Sequence, residues 1–350
     1  MRRIIPTIIF LLAQSAMLLG GRHATAPSRT LKIYFIDVEG GASTLIVTPA
    51  GESILVDAGW AGNDNRDANR IRQSMAEAGV TQIDHMIATH YHADHYGGIP
   101  QLAAAVPIKH YYDHGKMSSL QDDPNFPKLY AAYQAAAGGE TTTLGPGDTI
   151  ALKRAPGYPA VTLSCVVSGG RTLGGNAGQD NPECAAARKA EDDPSDNARS
   201  IGFILSYGGF RFLDLGDLTW NVEQNLVCPQ DHIGHIDLYQ VTHHGANSSN
   251  NVTLLRTVRP TVAVMDNGAH KGGAPETVKH LKELTSLQAL YQLHRNVDSS
   301  NDQNAPPDFI ANLDEKPDAG YEIAVAVDPA KHIFTVTNAR THSTSNYVVK

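Results

Sequence analysis

Short apolar runs separated by turn residues dominate the chain from residue 31 onward. They predict strands near 31–38, 43–48, 52–57, 83–89, 148–153, 161–167, 201–206, 210–215, 236–242, 261–265, 321–327 and 332–337. Helical periodicity predicts helices near 66–78, 97–105, 126–137, 219–227, 251–257 and 275–286. Two strand-rich halves with helices between the strands predict an α/β fold, in which two packed sheets are flanked by helices.

Four side chains that bind metals well follow the apolar run 83–88 within six positions. They are His90, His92, Asp94 and His95. Side chains two apart on an extended segment share a face, so His90 and His92 can hold one ion. The turn that follows directs Asp94 and His95 toward a second position. The pattern predicts a two-metal site, and a surface histidine cluster without metal is the alternative.

Two later strand ends supply further candidates. Asp217 follows the run 210–215, and its two carboxylate oxygens can bridge two cations. His243 follows the run 236–241 and is predicted to complete the shell of the second ion. His244 then points toward substrate or forms a local hydrogen bond, and both readings stay open.

The order of these motifs, from Thr89 to His95, then Gly216-Asp217, then His243-His244-Gly245, resembles the metallo-β-lactamase superfamily. Flanking segments at 35–41, 55–59, 207–212 and 258–264 are most similar to its ComEC-like branch, named after the extracellular nuclease domain of DNA-uptake channels. The resemblance covers roughly residues 31–290. It implies an αββα sandwich of two mixed sheets flanked by helices.

The resemblance also implies roles for residues outside the metal motifs. Asp37 and Asp57 match carboxylates that orient ligating histidines, because a histidine that binds a metal through one nitrogen needs an acceptor for the other N–H. A turn or cap role is the alternative for both. The candidates for substrate contact are Asn197, Asn267, Lys271 and His114. Lys271 also fits an exposed lysine in a turn without a function.

The chain departs from the family pattern at three places. The superfamily usually has another histidine before the bridging aspartate, whereas residues 196–200 contain none, so Asn197 or water is expected to fill the position. Glu39 stands where the branch usually has glutamine. Residues 269–275 replace a Gly-His-Pro motif. We therefore expect the first ion to be bound more weakly than in the family, and the substrate to differ from that of the ComEC-like nucleases.

The expected chemistry is hydrolysis by a metal-activated hydroxide. Two divalent ions, zinc or alternatively manganese, lower the pKa of a shared water to about 7. Asp94, Asp217 and His244 are the predicted catalytic residues. The resemblance favours a phosphodiester substrate. A lactone, β-lactam or other ester hydrolase is the alternative, and a non-catalytic binding protein on the same fold is the second alternative.

The first 26 residues have the pattern of a secretory signal. Arg2 and Arg3 precede an apolar stretch at 4–19, and Ala24-Thr25-Ala26 offers a cleavage site. We predict cleavage after Ala26, a hydrolase domain at 27–350 in the periplasm or outside the cell, and no stable membrane association after cleavage. An uncleaved anchor is the alternative.

Charge limits the class of substrate. The whole chain has 28 basic and 36 acidic residues, and cleavage would remove three arginines and no acid, which lowers the net charge from −8 to −11. No cluster of Lys and Arg is visible, whereas proteins that follow a nucleic-acid backbone usually carry one. A small-molecule or short phosphodiester or ester substrate is therefore expected, and long nucleic acid is not.

The three cysteines permit one disulfide. They are Cys165, Cys184 and Cys228, and in an oxidising compartment one pair leaves one thiol over. The sequence does not determine which residues pair. None of the three lies next to a metal motif, which disfavours a thiolate ligand.

Overall fold

The computed structural model describes residues 30–174, 178–316 and 319–350, and within them it contains twenty strands and seven α-helices. The first ten strands are β1 (Leu31–Phe35), β2 (Thr44–Val47), β3 (Ser53–Val56), β4 (Ile83–Ile87), β5 (Ile108–Asp113), β6 (Thr142–Thr143), β7 (Thr149–Ile150), β8 (Val161–Ser168), β9 (Arg171–Thr172) and β10 (Gln179–Asp180). The others are β11 (Gly202–Tyr207), β12 (Phe210–Asp214), β13 (Gln230–Asp231), β14 (Leu238–Gln240), β15 (Val262–Met265), β16 (Ala289–His294), β17 (Ile310–Asn312), β18 (Ile323–Asp328), β19 (Ile333–Asn338) and β20 (Ser343–Val348). The helices are α1 (Arg66–Ala78), α2 (Ala93–Tyr96), α3 (Ile99–Ala103), α4 (Phe126–Ala136), α5 (Trp220–Val227), α6 (Val252–Val258) and α7 (Pro275–Lys282).

The strands form two large mixed sheets. The first has the order β20-β19-β18-β1-β2-β3-β4-β5-β6, and the second has the order β17-β16-β15-β14-β12-β11-β8-β7 with β9 paired to β8. Parallel pairs occur where helices connect the strands, as in β3 with β4 and in β12, β14 and β15. Strands β10 and β13 form a small separate ribbon.

The two large sheets pack face to face through buried aromatic and aliphatic side chains. The rings of Phe35 and Phe203 lie 5.9 and 6.0 Å from that of Phe212, so β1, β11 and β12 meet at one contact. Phe210 and Phe334 have ring centroids 5.3 Å apart and join β12 to β19. All five side chains are buried, and each contributes roughly 1.5–3 kcal/mol through removal of apolar surface from water.

Helices cover the outer face of each sheet. In α1 the buried positions Ala68, Ile71 and Met75 recur every three to four residues, and this stripe packs on the first sheet. Leu226 of α5 and Leu255 of α6 belong to the buried cluster on the outer face of the second sheet. The protein is thus an α/β fold with two mixed sheets between layers of helix.

Most of the predicted elements match the structure within a few residues. Helix α1 has the predicted bounds of 66–78. Three strands of four or more residues were missed: Ile108–Asp113, Ala289–His294 and Ser343–Val348. In all three, polar residues interrupt the apolar pattern, and several of them, such as Lys109, His110 and Ser343, are exposed.

The disulfide links Cys184 to Cys228, and Cys165 is a free, buried thiol. Among the described residues, no helix is both long enough and apolar enough to cross a lipid bilayer. The predicted signal segment, residues 1–26, lies outside the described residues. The boundary at Ala26 therefore stays a prediction.

Candidate metal centre

The candidate side chains lie on loops that follow parallel strands. The loop after β4 carries residues 89–95, and the segment after β12 carries Asp217. The loop after β14 carries His243 and His244. Because the carboxyl ends of parallel strands meet at one edge of a sheet, these loops converge where the two sheets face each other.

Four of these side chains form a compact buried cluster, which we call the Asp217 cluster: Asp94, His95, Asp217 and His244. One ligand atom from each lies within 4.8 Å of the others. The Nε2 atom of His244 is 3.2 Å from Oδ2 of Asp94 and 3.5 Å from Oδ2 of Asp217. The Nε2 atom of His95 is 3.3 Å from Oδ1 of Asp217. Imidazole nitrogen and carboxylate oxygen are ligands that Zn²⁺ binds.

A second set of nitrogen atoms lies beside this cluster. Nε2 of His90 and Nδ1 of His92 are 3.0 Å apart. Nε2 of His90 is 3.9 Å from Oδ2 of Asp217, and Nε2 of His243 is 3.4 Å from the same oxygen. Burial and the charge of His95 hold the pKa of His90 well below its usual value, so its ring is neutral and offers a lone pair.

The outer nitrogen of each histidine has a polar partner. Three of them face a carboxylate oxygen: His95 faces Asp57 at 2.8 Å, His92 faces Asp122 at 3.0 Å, and His244 faces Asp266 at 3.3 Å. The last is an ion-pair distance without hydrogen-bond geometry.

The remaining two histidines have hydroxyl partners. Nδ1 of His243 is 3.0 Å from Oγ of Ser248 and 3.2 Å from Oγ of Ser249, and Nδ1 of His90 is 3.1 Å from Oγ1 of Thr89. This two-sided arrangement is typical of histidines that bind metals.

The electrostatics of the Asp217 cluster favour a positive charge at its centre. Burial opposes ionisation of Asp94 and Asp217, yet positive charge at His95 holds both pKa values well below their usual range. Burial likewise opposes protonation of His95, but Asp217 and Asp94 raise its pKa well above the usual value. For His244, neighbouring carboxylates overcome burial and raise the pKa to about 10. The residues therefore fit a cation.

His244 occupies the position that the sequence analysis predicted for His243. The prediction gave His243 to the second ion, whereas the structure places His244 with Asp94 and His95. The reason is the backbone: both residues adopt left-handed φ values, 56° and 52°, within a tight turn. An extended strand end would have placed only the first histidine at the site. Left-handed φ in consecutive non-glycine residues is uncommon and is concentrated at functional sites.

Asp57 and Asp37 have different partners, although both end strands. Asp57 accepts from His95 and from the backbone N–H of Thr89, at 2.8 Å each. Asp37 was predicted to orient a ligating histidine, but its carboxylate bonds Arg70 at 2.9 Å and His294 at 2.8 Å. The contact of Asp57 with His95 matches the predicted role, whereas these contacts of Asp37 lie outside the Asp217 cluster.

Two of the predicted substrate-contacting residues, Asn267 and His114, form hydrogen bonds with other groups of the protein. The Nδ2 of Asn267 donates to the carbonyl oxygens of Gly268 and His294, and the residue is fully buried. His114 is also buried, with Nε2 3.0 Å from Oδ2 of Asp196. Because Asp196 accepts the backbone N–H of Tyr91 as well, His114 supports the loop that carries His90 and does not face the site.

The other two candidates do face the site. The ammonium of Lys271 contacts Oδ2 of Asp94 and lies 5.1 Å from the ring centre of Trp60. Nδ2 of Asn197 lies 3.5 Å from Nε2 of His243. The Oδ1 atom of Asn197 is buried, and among the described residues it has no hydrogen-bond partner.

Sequence reasoning missed Asp122 and Asp266 as partners of the histidines. Asp266 follows the apolar strand β15, and its Oδ2 is held at 3.2 Å by Nε2 of Gln240, so the rule that found Asp217 would have found it. Asp122 lies in a segment without regular secondary structure between β5 and α4. No periodicity marks it.

Tight backbone packing supports the loop after β4. A Cβ atom at Gly98 would lie 2.0 Å from the carbonyl oxygen of Ala58, and one at Gly97 would lie 2.9 Å from the backbone nitrogen of Ala61. Only glycine permits this approach of the α2–α3 turn to the segment after β3. The position of His95 therefore depends on these two glycines.

Comparison with protein families identifies one match. The family model described as metallo-beta-lactamase superfamily matches residues 36–173. This range contains the motif from His90 to His95 and ends before Asp217. Over these residues the chain is similar to that superfamily.

Two curated proteins are similar over short stretches. A lactamase-like protein of Aspergillus sp. is 34% identical over 67 residues, which cover 19% of this chain and 20% of that protein. An atrochrysone carboxyl ACP thioesterase of Pseudocercospora fijiensis is 30% identical over 118 residues, which cover 34% of this chain and 31% of that protein. The chain thus spans less than a third of the length of either relative.

Solved structures match the chain at low sequence identity. A protein of Parabacteroides distasonis, assigned as a metal-dependent hydrolase, is 18% identical with a TM-score of 0.40, over 76% of this chain and 93% of that one. A diphosphatase from the PhnP family is 14% identical with a TM-score of 0.37, over 75% of this chain and 94% of that one.

Proposed function

We propose that this protein is an exported, metal-dependent hydrolase that cleaves phosphodiesters. The observation that carries the proposal is the Asp217 cluster, in which two carboxylates and two imidazoles face one position inside the protein. The motifs around it also support the ComEC-like branch of the metallo-β-lactamase superfamily. Two buried carboxylates this close together are costly to the folded state unless positive charge, from protonated imidazoles or from a metal ion, neutralises them.

Seven residues are proposed to hold two divalent ions, zinc or manganese. The first ion would be held by Nε2 of His90, Nδ1 of His92 and Nε2 of His243, and the second by Asp94 and Nε2 of His95 and His244. The carboxylate of Asp217 faces both sets, because its Oδ2 lies 3.4 Å from His243 and 3.5 Å from His244. In this assignment His243 takes the place of the histidine that residues 196–200 lack.

The chemistry of the bound ions is hydrolytic. When bound, two divalent cations supply a hydroxide at neutral pH and polarise a phosphoryl or carbonyl oxygen. Asp217 fixes the spacing of the two ligand sets. The ammonium of Lys271, next to Asp94, is placed to bind an anionic oxygen of the substrate. The amide of Asn197, beside His243, is placed to contact the substrate from the other ligand set.

The disulfide supports export of the protein, and the net charge supports a small substrate. A disulfide such as Cys184–Cys228 persists in oxidising compartments, which agrees with a cleaved signal peptide and a periplasmic or extracellular location. The net charge of −8, or −11 after cleavage, disfavours long nucleic acid. We therefore propose a small or short phosphodiester as the substrate.

The test combines metal analysis with hydrolysis. Mature protein purified without chelator should carry up to about two equivalents of zinc or manganese and should hydrolyse bis(p-nitrophenyl) phosphate. Asp217→Ala should lose metal and activity, and thermal unfolding should show that it remains folded. Lactone and β-lactam substrates are assayed in parallel. Faster hydrolysis of those substrates would indicate a lactone or β-lactam hydrolase in place of a phosphodiesterase. Metal binding without hydrolysis of any ester would indicate a binding protein.

A further inference from the structure

We infer that a cavity beside the metal centre binds the part of the substrate that is not cleaved, and that this part is a planar aromatic ring bearing an anionic group. The inference rests on the proposed function, since it names the substrate class of that same site. The cavity has a volume of about 270 Å³. We call it the Trp220 cavity; its walls include Arg188, Lys189, Trp220, Asn247, Ser249 and His280.

A single imidazole separates the Trp220 cavity from the Asp217 cluster. Ser249 lines the cavity, and its Oγ lies 3.2 Å from Nδ1 of His243. The opposite nitrogen of His243 lies 3.4 Å from Oδ2 of Asp217. The backbone N–H of Trp220 donates to the carbonyl of Ser248 at 2.8 Å, which joins the cavity wall to the same turn. The His243 ring is thus a wall shared by the cavity and the cluster, which makes the cavity the neighbouring site for a substrate held at the cluster.

The indole of Trp220 is fixed before any ligand binds. Its Nε1–H donates to the carbonyl of Arg188 at 2.8 Å, and the side chain is half-buried in the cavity wall. A ring held in this way stacks on a planar ligand with little loss of conformational entropy. Stacking on an aromatic side chain changes affinity by about tenfold or more. The Trp220 ring is therefore the feature that selects a planar group.

Two cationic residues of the cavity wall, Arg188 and Lys189, lie on a loop that is anchored by hydrogen bonds and by the disulfide. Nδ2 and Oδ1 of Asn221 bond the carbonyl and the N–H of Ala190, both at 2.9 Å. At the other end of α5 the disulfide Cys184–Cys228 binds the same loop. The loop is thus attached at both ends of one helix, and it carries Arg188 and Lys189 to the cavity.

The wall carries an excess of positive charge, although the protein is acidic overall. Within the described part of the chain, neither Arg188 nor Lys189 forms an ion pair with a carboxylate; the guanidinium of Arg188 donates to the carbonyls of Ala186 and Ala187. The one carboxylate of the wall, Glu276, lies 3.9 Å from Nε2 of His280. An anionic substituent on the ring would supply the partner that the two cations lack.

Three phosphodiesters that share the p-nitrophenolate leaving group test the inference. Their second ester group is methyl, phenyl or p-carboxyphenyl. For the wild type we expect kcat/KM to rise about tenfold from methyl to phenyl, through stacking, and severalfold again to p-carboxyphenyl. Trp220→Leu should remove the first increase, and the double variant Arg188→Ala/Lys189→Ala should remove the second. Hydrolysis of the methyl ester should stay within about twofold of wild type in both.

Two further variants separate stacking from a structural role. Trp220→Phe keeps a planar ring but loses the hydrogen bond to Arg188, so it should retain most of the preference for phenyl over methyl. A residue that only tethers the loop would lose the preference in Trp220→Phe as in Trp220→Leu. Lys279→Ala removes an exposed cation from α7 outside the cavity and should change none of the ratios.

The outcomes distinguish this inference from the proposed function. Equal kcat/KM for all three esters in the wild type, or variants that lower all three alike, would overturn the inference and leave the hydrolase intact. If no ester is hydrolysed, the proposed function fails, and calorimetric binding of diphenyl phosphate decides the inference instead. Binding that Trp220→Leu weakens supports the cavity as a ring-binding site, and absent or unchanged binding overturns it.

Discussion

The Nε2 atom of His92 lies 3.0 Å from the Oδ2 atom of Asp122, on the side of the ring that faces away from His90. His95 makes the corresponding contact with Asp57 at 2.8 Å. The Asp122 side chain is 45% exposed, whereas that of Asp57 is 1% exposed. The two histidines are thus oriented by the same chemistry in different dielectric surroundings.

The two orienting carboxylates should differ in their effect on metal affinity. We expect Asp57→Asn to weaken zinc binding by about 10- to 100-fold, and Asp122→Asn by about tenfold or less, because solvent screens the exposed contact. Asparagine tolerates the left-handed φ of 58° at Asp57, so the backbone is preserved. Competition with a chelator measures both affinities. A larger loss in Asp122→Asn than in Asp57→Asn would contradict the geometric argument.

His243 and His244 should each control one ion. We expect His244→Ala and His243→Ala each to reduce bound metal from about two equivalents to about one, because their Nε2 atoms belong to different ligand sets. Substitution with cobalt(II), followed by absorption spectroscopy, reports which environment is lost. His332→Asn, at an exposed turn with left-handed φ, is the matched control and should retain both ions. Full occupancy in His244→Ala would exclude it as a ligand.

Glu223 should make the protein less stable at alkaline pH. Burial raises its pKa from 4.5 to about 7, although its Oε2 accepts the N–H of Asn251. Because the folded state holds this proton more tightly than the unfolded state, the stabilisation is complete below pH about 4.5 and is lost as the pH rises through about 7. The loss is on the order of 3 kcal/mol.

Chemical unfolding at pH about 5 and about 8 checks this. Glu223→Gln mimics the protonated form and should show a smaller decrease in the free energy of unfolding than the wild type. Glu283→Gln, an exposed glutamate, is the control and should behave like the wild type. Parallel curves for wild type and Glu223→Gln would mean that Glu223 does not titrate in this range.

Gly98 should not tolerate a side chain. We expect Gly98→Ala to lower the free energy of unfolding by about 3 kcal/mol or more, because the new Cβ would collide with the Ala58 carbonyl. Gly174→Ala, where no atom of the described residues lies within 4 Å of the added Cβ, should be nearly neutral. Denaturant titration compares the two. A neutral Gly98→Ala would show that the α2–α3 turn can move away from β3.

Much of the fold could be predicted because its elements are locally encoded. The apolar stripe of Ala68, Ile71 and Met75 marks α1, and near-continuous apolar runs mark buried strands such as β12 and β15. Strand β16 was not predicted because the polar residues Gln292 and His294 interrupt its apolar pattern. Their polar groups are satisfied by distant residues: Gln292 accepts from Ala305, and His294 bonds Asp37. Such pairings are tertiary and leave no local signal.

The same distinction applies to the candidate site. The candidate ligands from His90 to His95 lie close in sequence, and this density alone predicts a metal site. The placement of His244 with Asp94 and His95 depends on two left-handed φ values, at His243 and His244, which the sequence pattern does not report. The position of Asp122 beside His92 depends on a loop of irregular structure, which the sequence pattern does not predict. The carboxylate of Asp37 contacts Arg70 and His294, which lie outside the Asp217 cluster.

The pairing of β1 with β18 has a consequence for the order of folding. Ile33 pairs with Val325 and Phe35 with Ile323, so one of the first strands of the domain is completed by one of the last. During synthesis from the amino terminus, β1 cannot pair with β18 until the last hairpins of the chain are available. Pairing between strands so far apart in sequence is slow. Until then β1 presents an open apolar edge to other chains. We expect incomplete or stalled chains of this protein to aggregate through that edge.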